Sequence, residues 1–284
     1  METIVAKNSG FCGGVLNTVK KTKEYLKENK NVYINGNIVH NEYVINDLKK
    51  EGLILIDDYN SIKKSDTVII RAHGEKKKIY DLLKKKEVNI LDLTCPKVKR
   101  IHDLIMKHNN DFIVVIGKKA HPEVLGHISY ANNYCIIEDI NDIDLLLNKV
   151  KEFNIHSLYI VAQTTYNDNL FDYIVDNIKK KCLNVKIEVD KTICNATKIR
   201  QDEIRDISKK VDKMIIIGSK KSSNTKELVN VAKENNRNVY LIDNSFELKE
   251  IAFNSTDKIG IGAGASTPKE LIDSVKNYLQ NKEK

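Results

Sequence analysis

The stretch Val88-Asn-Ile-Leu-Asp-Leu-Thr-Cys95-Pro96 contains the pattern from which the fold can be predicted. A short apolar strand ends in a loop, the loop holds a cysteine, and apolar residues at helical spacing follow. The same plan recurs where Thr3-Ile-Val-Ala precedes Cys12 and where Val185-Lys-Ile-Glu-Val precedes Cys194. Strands that alternate with helices are typical of α/β proteins. The sequence therefore predicts three similar α/β modules, each with a cysteine between a strand and a helix.

Polar loops repeat at two further strand ends of each module. The first loop contains His40, His121 or Ser222, which follow the cysteines by 28, 26 and 28 residues. The second loop contains a polar residue at the end of another strand: His73, Thr164 or Ser266. Open α/β sheets bind ligands beyond the carboxyl ends of their strands. We therefore expect three sets of hydrogen-bonding groups that face a common centre.

The repeat places the domain boundaries near the cysteines. The first module is predicted to span residues 14–94 and the second residues 95–193. The third spans residues 194–284 and also takes the N-terminal strand within residues 1–13, which has no module of its own. We expect this strand to pair with the C-terminal module. The three modules are then predicted to pack in a pseudo-threefold arrangement around a central site.

Composition excludes several classes of function. Of 284 residues, 41% are hydrophobic and 30% charged, and no apolar run approaches the roughly 20 residues of a membrane helix. The start of the chain lacks a secretory signal, so a cytoplasmic location is expected. The net charge is +8, but only five of the 47 basic residues are arginine and no nucleic-acid-binding motif is present. The charge therefore favours a small anionic substrate over nucleic acid.

The five cysteines divide into two groups. Without an export signal, a disulfide framework is not expected. Cys135 falls inside a predicted strand and Cys182 at a helix end, so both are interpreted as structural. Cys12, Cys95 and Cys194 share one place in the repeat, and three converging sulfur atoms would suit an iron–sulfur cluster or zinc. A closed zinc site would need a fourth ligand, which a histidine could supply.

Glu123 follows His121 in the first turn of a predicted helix. An acid at this position commonly stabilises the helix dipole. The alternative is a proton donor that shares a pocket with His121 and Thr164. The strand-end histidines, together with Ser222, Ser223, Asn224 and Ser266, offer hydrogen bonds without crowding positive charge, which suits a diphosphate. His127 lies six residues after His121, whereas His102, His108 and His156 are assigned no role.

Two motifs near the C-terminus are interpreted as structural. Gly260-Ile-Gly-Ala-Gly-Ala265 resembles a dinucleotide-binding fingerprint, but only 19 residues follow it, too few for the strand that carries the ribose-binding acid. Thr267-Pro-Lys-Glu270 is predicted to begin a helix, with Thr267 as the N-cap and Glu270 completing a capping box. The same helix start would also form an anion site.

Seven motifs in order resemble the LytB/IspH family over residues 4 to 275. They are Gly10-Phe-Cys-Gly-Gly-Val15, Asp92-Leu-Thr-Cys-Pro96, Ala120-His-Pro-Glu123, Gln163-Thr-Thr165, Cys194-Asn-Ala-Thr197, Ser222-Ser-Asn224 and Gly264-Ala-Ser-Thr-Pro268. The resemblance implies reductive removal of the allylic hydroxyl of 4-hydroxy-3-methylbut-2-enyl diphosphate. The products would be isopentenyl and dimethylallyl diphosphate, formed in the last step of the methylerythritol phosphate route.

The resemblance also implies roles for single residues. Cys12, Cys95 and Cys194 would hold one [4Fe–4S] cluster with one open iron, at the centre of the three modules. Glu123, Thr164 and His121 would act in catalysis, with Glu123 and Thr164 delivering a proton. The substrate would contact His40, His73, His121, Thr164, Ser222, Ser223, Asn224 and Ser266. The electron donor is inferred from charge instead, since a small acidic ferredoxin or flavodoxin would suit the basic surface of this chain.

Two other classes of function remain open at the level of sequence. A zinc hydrolase could use the three cysteines and one histidine on a phosphorylated substrate, and it would lack the broad absorbance of an iron–sulfur cluster near 400 nm. A basic α/β protein could also bind nucleic acid, in which case its affinity would fall steeply with salt.

Overall fold

A computed structural model describes residues 1–281 of the chain. Its strands are β1 (Glu2–Val5), β2 (Val32–Asn35), β3 (Leu53–Ile56), β4 (Thr67–Ile70), β5 (Asn89–Asp92), β6 (Phe112–Ile116), β7 (Tyr134–Ile137), β8 (Ser157–Ala162), β9 (Lys186–Val189), β10 (Lys213–Ile217), β11 (Val239–Ile242) and β12 (Lys258–Ala263). Its α-helices are α1 (Gly13–Glu28), α2 (Glu42–Lys50), α3 (Lys77–Lys85), α4 (Pro96–Lys107), α5 (Pro122–Ile128), α6 (Ile143–Glu152), α7 (Asp168–Lys181), α8 (Asn195–Ser208), α9 (Ser223–Lys233) and α10 (Lys269–Asn281). Single 3₁₀ turns cover Ile140–Asp142 and Ser245–Glu250.

The strands form three parallel sheets of four strands with one common order. The orders are β3-β2-β4-β5 in the first module, β7-β6-β8-β9 in the second and β11-β10-β12-β1 in the third. In each sheet the fourth strand lies at the edge beside the third. These sheets confirm the prediction of three similar α/β modules.

The N-terminal strand is the fourth strand of the third sheet. β1 pairs in parallel with β12, from Glu2 beside Lys258 to Val5 beside Ile261. The predicted pairing of the N-terminal strand with the C-terminal module is therefore confirmed. The strands of each sheet fall within one of the three predicted segments, while the boundaries themselves and the pseudo-threefold arrangement stay predictions.

The described chain divides into two compact units. One consists of residues 1–27, 37–52 and 195 onward, and it contains the third sheet. The other consists of residues 28–36 and 53–194, and it contains the first and second sheets. None of the described helices is long and apolar enough to cross a membrane.

Helices cover both faces of the second and third sheets. In the second module, Ile101 and Ile105 of α4 pack on one face, and α6 and α7 pack on the other. In the third, Ile204 and Ile207 of α8 cover one face with α9, while α10 covers the other. Burial on both faces explains the continuous apolar strands, typical of parallel sheets. The helix that follows Cys95 or Cys194 thus packs on the next sheet along the chain.

The glycine-rich segment Gly260–Ala265 has a structural role. Gly260 and Gly262 lie inside β12, where a Cβ would overlap Ile207 and Ile204 of α8. The glycines therefore let α8 approach the sheet closely. The predicted N-cap at Thr267 is wrong, because α10 begins at Lys269 and the Thr267 hydroxyl donates to the carbonyl of Ile217 (2.9 Å).

Candidate active site

The three cysteines occupy the same position in the backbone of their modules. The amide of Cys12 donates to the carbonyl of Ala265 (3.2 Å), that of Cys95 to Ala72 (3.0 Å) and that of Cys194 to Thr164 (3.0 Å). Each acceptor lies two residues beyond the third strand of its sheet, and a helix begins directly after each cysteine. The repeat predicted from sequence is therefore present at the level of single hydrogen bonds.

The thiols at this position differ from the other two. Cys12, Cys95 and Cys194 are outside any disulfide and partly buried, whereas Cys135 and Cys182 are buried in the core of the second module. Burial raises the pKa of both core thiols, which makes them poor ligands. The amide of Val15 lies 3.5 Å from the Cys12 sulfur as a donor. A Cβ on Gly13 would meet no described atom within 4 Å, so protein packing does not explain this glycine.

The repeated polar loops supply the N-caps of three helices. The side chains of Asn41, His121 and Ser222 accept hydrogen bonds from backbone amides in the first turns of α2, α5 and α9. Sequence spacing had matched His40 to His121 and Ser222. The structure instead gives Asn41 this role, and His40 is the residue before it. The capping role of Asn41 was therefore not predicted from the sequence, although an Asn before a helix is a known cap signal.

Glu123 and Thr164 are in direct contact, as predicted for a catalytic pair. Glu123 is 1% exposed and Thr164 is 7% exposed. Oε1 of Glu123 accepts from the backbone amide of Thr164 at 2.6 Å, and Oε2 accepts from the Thr164 hydroxyl at 2.9 Å. Since the third strand of the module ends just before Thr164, the sheet itself positions this carboxyl group.

The surroundings of Glu123 favour its charged form. Burial raises the pKa of the carboxyl, but the hydrogen bond and charge of His127, the charge of His121 and the Thr164 amide lower it to about 2 overall. Near neutral pH the residue is therefore a carboxylate. Glu123 must gain a proton before it can donate one.

His73 and His121 stand together in the same compact unit as Glu123. Their ring centroids are 5.5 Å apart in an edge-to-face arrangement. Burial lowers the pKa of His121, and the nearby charge of Arg71 lowers it further against the opposing charge of Glu123. A neutral ring at this position offers both a donor and an acceptor nitrogen.

The other compact unit contributes a group of buried polar residues. Ser222, Ser223 and Asn224 are buried at the start of α9, and the Ser266 hydroxyl donates to the carbonyl of His40 at 3.3 Å. Within the described residues, neither Oδ1 nor Nδ2 of Asn224 has a hydrogen-bond partner. A buried amide without partners is costly, and a ligand would relieve this cost. The start of α9 is therefore a candidate anion site.

Two glycines fix the start of α9 against the sheet. Gly218 has a φ of +142°, and a Cβ there would meet the hydroxyls of Thr267 and Thr225 below 3 Å. A Cβ on Gly264 would overlap the Thr225 hydroxyl. The start of α9 thus packs against the carboxyl ends of β10 and β12. Asn224 and Ser266, which follow these two strands, lie in the same compact unit.

His102 makes stability depend on pH. The residue is 5% exposed, and burial lowers its pKa to about 3, helped by the charge of His127. Between about pH 3 and 6.5 the imidazole of His102 is protonated in the unfolded chain but neutral in the folded chain, so acid favours unfolding. We expect the free energy of unfolding to fall by about 2 kcal/mol from pH 7 to pH 5 through this group. Urea unfolding of the wild type and of His102→Phe checks this, since an equal pH dependence in both would contradict it.

The sequence pattern of the LytB protein family matches residues 3–280. The chain is 38% identical to the 4-hydroxy-3-methylbut-2-enyl diphosphate reductase of Aquifex aeolicus, with 99% of this chain and 96% of the relative covered. It is 37% identical to the reductase of the same name from Clostridioides difficile, covering 99% of this chain and 100% of the relative.

Solved structures agree with these relatives. The E-1-hydroxy-2-methyl-but-2-enyl-4-diphosphate reductase from Plasmodium falciparum superposes with a TM-score of 0.88 at 32% identity, covering 99% of this chain and 88% of that chain. A second structure, of an (E)-4-hydroxy-3-methyl-but-2-enyl diphosphate reductase described as the terminal enzyme of the non-mevalonate pathway, gives 0.70 at 38% identity, with 99% and 100% covered. The chain therefore belongs to the LytB protein family.

Proposed function

We infer that this chain is an iron–sulfur reductase that removes the allylic hydroxyl of 4-hydroxy-3-methylbut-2-enyl diphosphate. The products are isopentenyl and dimethylallyl diphosphate. Full-length relatives that carry this name support the activity. The observation that carries the inference is the equivalent backbone position of Cys12, Cys95 and Cys194, because a packing role would not require one cysteine at the same hydrogen-bonded place in each module.

We propose that these three cysteines together hold one [4Fe–4S] cluster with one open iron. The donor set fits, since the three thiols are outside any disulfide and partly exposed, and cysteine sulfur is the usual ligand of such clusters. The amide directed at the Cys12 sulfur and the open space beside Gly13 support the same assignment. When bound, the cluster would supply electrons one at a time and Lewis acidity at its open iron.

We propose that the diphosphate is bound by the buried polar groups at the strand ends. Asn224 has an unpartnered amide, and Ser222 and Ser223 lie at the positive end of the α9 dipole, where anions are favoured. A hydroxyl or a neutral imidazole can orient phosphate oxygens without strong charge. The remaining members of this proposed set are His40, His73, His121, Thr164 and Ser266.

We propose that Glu123 delivers the proton that lets the hydroxyl leave as water. Hydroxide is a poor leaving group, so the carbon–oxygen bond breaks more readily when the oxygen is protonated. The buried carboxyl group is held by both the amide and the hydroxyl of Thr164, which fixes its direction. His121 caps the same helix and completes the proposed catalytic group.

The electron donor and the cellular location of the protein are further proposals. A ferredoxin or flavodoxin is the proposed electron donor, because such acidic proteins suit a chain with a net charge of +8. Nucleic acid is not a proposed partner, and the proposed location is the cytoplasm.

Iron and sulfide analysis under anaerobic conditions tests the central claim. We expect roughly four irons and four sulfides per chain, a broad absorbance near 400 nm that dithionite bleaches, and turnover of the diphosphate substrate. A colourless protein with one zinc and no sulfide would overturn the proposal and support a zinc site instead. Protein that contains the cluster but does not turn over the substrate would support the cluster assignment and contradict the proposed activity.

A further inference from the structure

A buried histidine one turn along α5 contacts the carboxylate of Glu123. His127 is 0% exposed, and its Nε2 lies 3.4 Å from Oε1 of Glu123. Residues four apart on a helix face the same side, so the backbone itself pairs the two groups. The backbone amide and the hydroxyl of Thr164 donate to the same carboxylate. The Nε2 atom of His127 therefore lies against a carboxylate that is already held from its other side by Thr164.

The surroundings of His127 assign its proton to Nε2. Nδ1 of His127 is buried and has no hydrogen-bond partner in the described chain. A proton on Nδ1 would therefore be unsatisfied, and the lone pair of Nε2 would then face a carboxylate. A proton on Nε2 instead donates to Oε1 of Glu123, which satisfies both groups.

Packing leaves His127 little freedom to move. The rings of His102 and His127 lie edge to face, with their centroids 5.1 Å apart. The ring of Tyr130 stacks on that of His102, with a centroid distance of 4.3 Å. Nε2 of His102 also makes no hydrogen bond among the described residues. The ring of His127 is thus packed in place. Its Nε2–H donates to Glu123, which is its one acceptor among the described residues.

We propose that His127 is a positioning residue of the reductase, which orients the Glu123 carboxylate through Nε2 and sets its affinity for the reacting proton. The proposal rests on the proton-donor role proposed above for Glu123. Without the hydrogen bond from His127, the effect of burial would be less opposed and the pKa of Glu123 would rise. The titratable or charged groups around the pair are His121 on the same helix, His102 and Lys99 on α4, Asp92 at the end of β5, and Tyr130.

Three variants of the anaerobically loaded enzyme test this role. His127→Leu removes the donor, His127→Gln keeps an N–H, and His102→Phe changes the neighbouring buried ring as a matched control. We expect kcat to fall about 10- to 100-fold in His127→Leu, with partial recovery in His127→Gln. Substrate Kd and iron content should stay within about twofold of the wild type. The pH limb of kcat that reports Glu123 should move to higher pH in His127→Leu and return toward the wild type in His127→Gln.

The outcomes separate this inference from the proposed function. A normal kcat and pH profile in both His127 variants, while Glu123→Gln is inactive, would overturn the role of His127 alone. An active Glu123→Gln would remove the proton-donor role on which the inference depends. An equal loss in His102→Phe would show that packing of the two rings matters rather than the bond to Glu123, and would also overturn the inference. Should His127→Leu fail to fold, the kcat of His127→Gln still decides, because only a partial recovery is expected there and a kcat equal to that of the wild type would overturn the role of His127.

Discussion

Cys95→Ser should lose most of its bound iron, its absorbance near 400 nm and its activity together, with turnover reduced by about 100-fold or more. Serine offers a hard oxygen in place of a soft sulfur, so an iron–sulfur cluster is poorly held. The fold itself should survive, because Cys95 is the N-cap of α4 without a side-chain cap bond and serine is a favourable N-cap. Iron and sulfide content, the absorbance spectrum and the melting temperature check this expectation.

Cys182→Ser is the matched control for this experiment. Cys182 is 5% exposed at the end of α7 and lies in the apolar core of the second module. A buried hydroxyl there should lower the melting temperature but leave iron content unchanged. A fully loaded and active Cys95→Ser would remove this residue from the ligand set. Iron loss in both variants would instead point to general instability.

Glu123→Gln should retain its cluster and bind substrate within about threefold of the wild type, yet lose about 100- to 10,000-fold in kcat. The amide has nearly the shape of the carboxyl group and can still accept from Thr164. It carries no proton that could reach the leaving oxygen. Steady-state kinetics with a chemical reductant, together with a direct binding measurement, separate the loss of turnover from a loss of affinity.

Glu188→Gln provides the comparison for this variant. Glu188 also faces a histidine, His108, at 3.6 Å, but its side chain is half exposed on β9. Turnover should remain unchanged there. Near-normal turnover in Glu123→Gln would show that the proton comes from another group, and the assignment of Glu123 would be withdrawn.

Local pattern was sufficient to predict much of this site. Each repeat consists of a strand, a cysteine and a helix within a short stretch of sequence. The positions of Cys12, Cys95 and Cys194 could therefore be predicted from the spacing of neighbouring apolar residues. The contact between Glu123 and Thr164 was also predictable. Each residue follows a strand, and the carboxyl ends of neighbouring parallel strands lie at one edge of a sheet.

Features that depend on packing were not predictable. His102 appeared as an unremarkable helix residue, and only the docking of α4 on the second sheet buries it beside His127. The cap of α2 is Asn41 rather than His40, since the length of a loop shifts a cap by one residue without disturbing the strands. Thr267 does not cap α10, because the helix begins two residues later at Lys269, and its hydroxyl donates to the carbonyl of Ile217.

The pairing of β1 with β12 joins two strands that are far apart in the sequence. Strand β1 is synthesised well before its partner, which is complete only after Ala263 has been made. The amide of Cys12 likewise waits for the carbonyl of Ala265. Contacts between such distant residues form late and slow folding. Among the three repeated cysteines, Cys12 therefore has the acceptor that is synthesised last, and the proposed cluster would be completed only after Ala265 has been made.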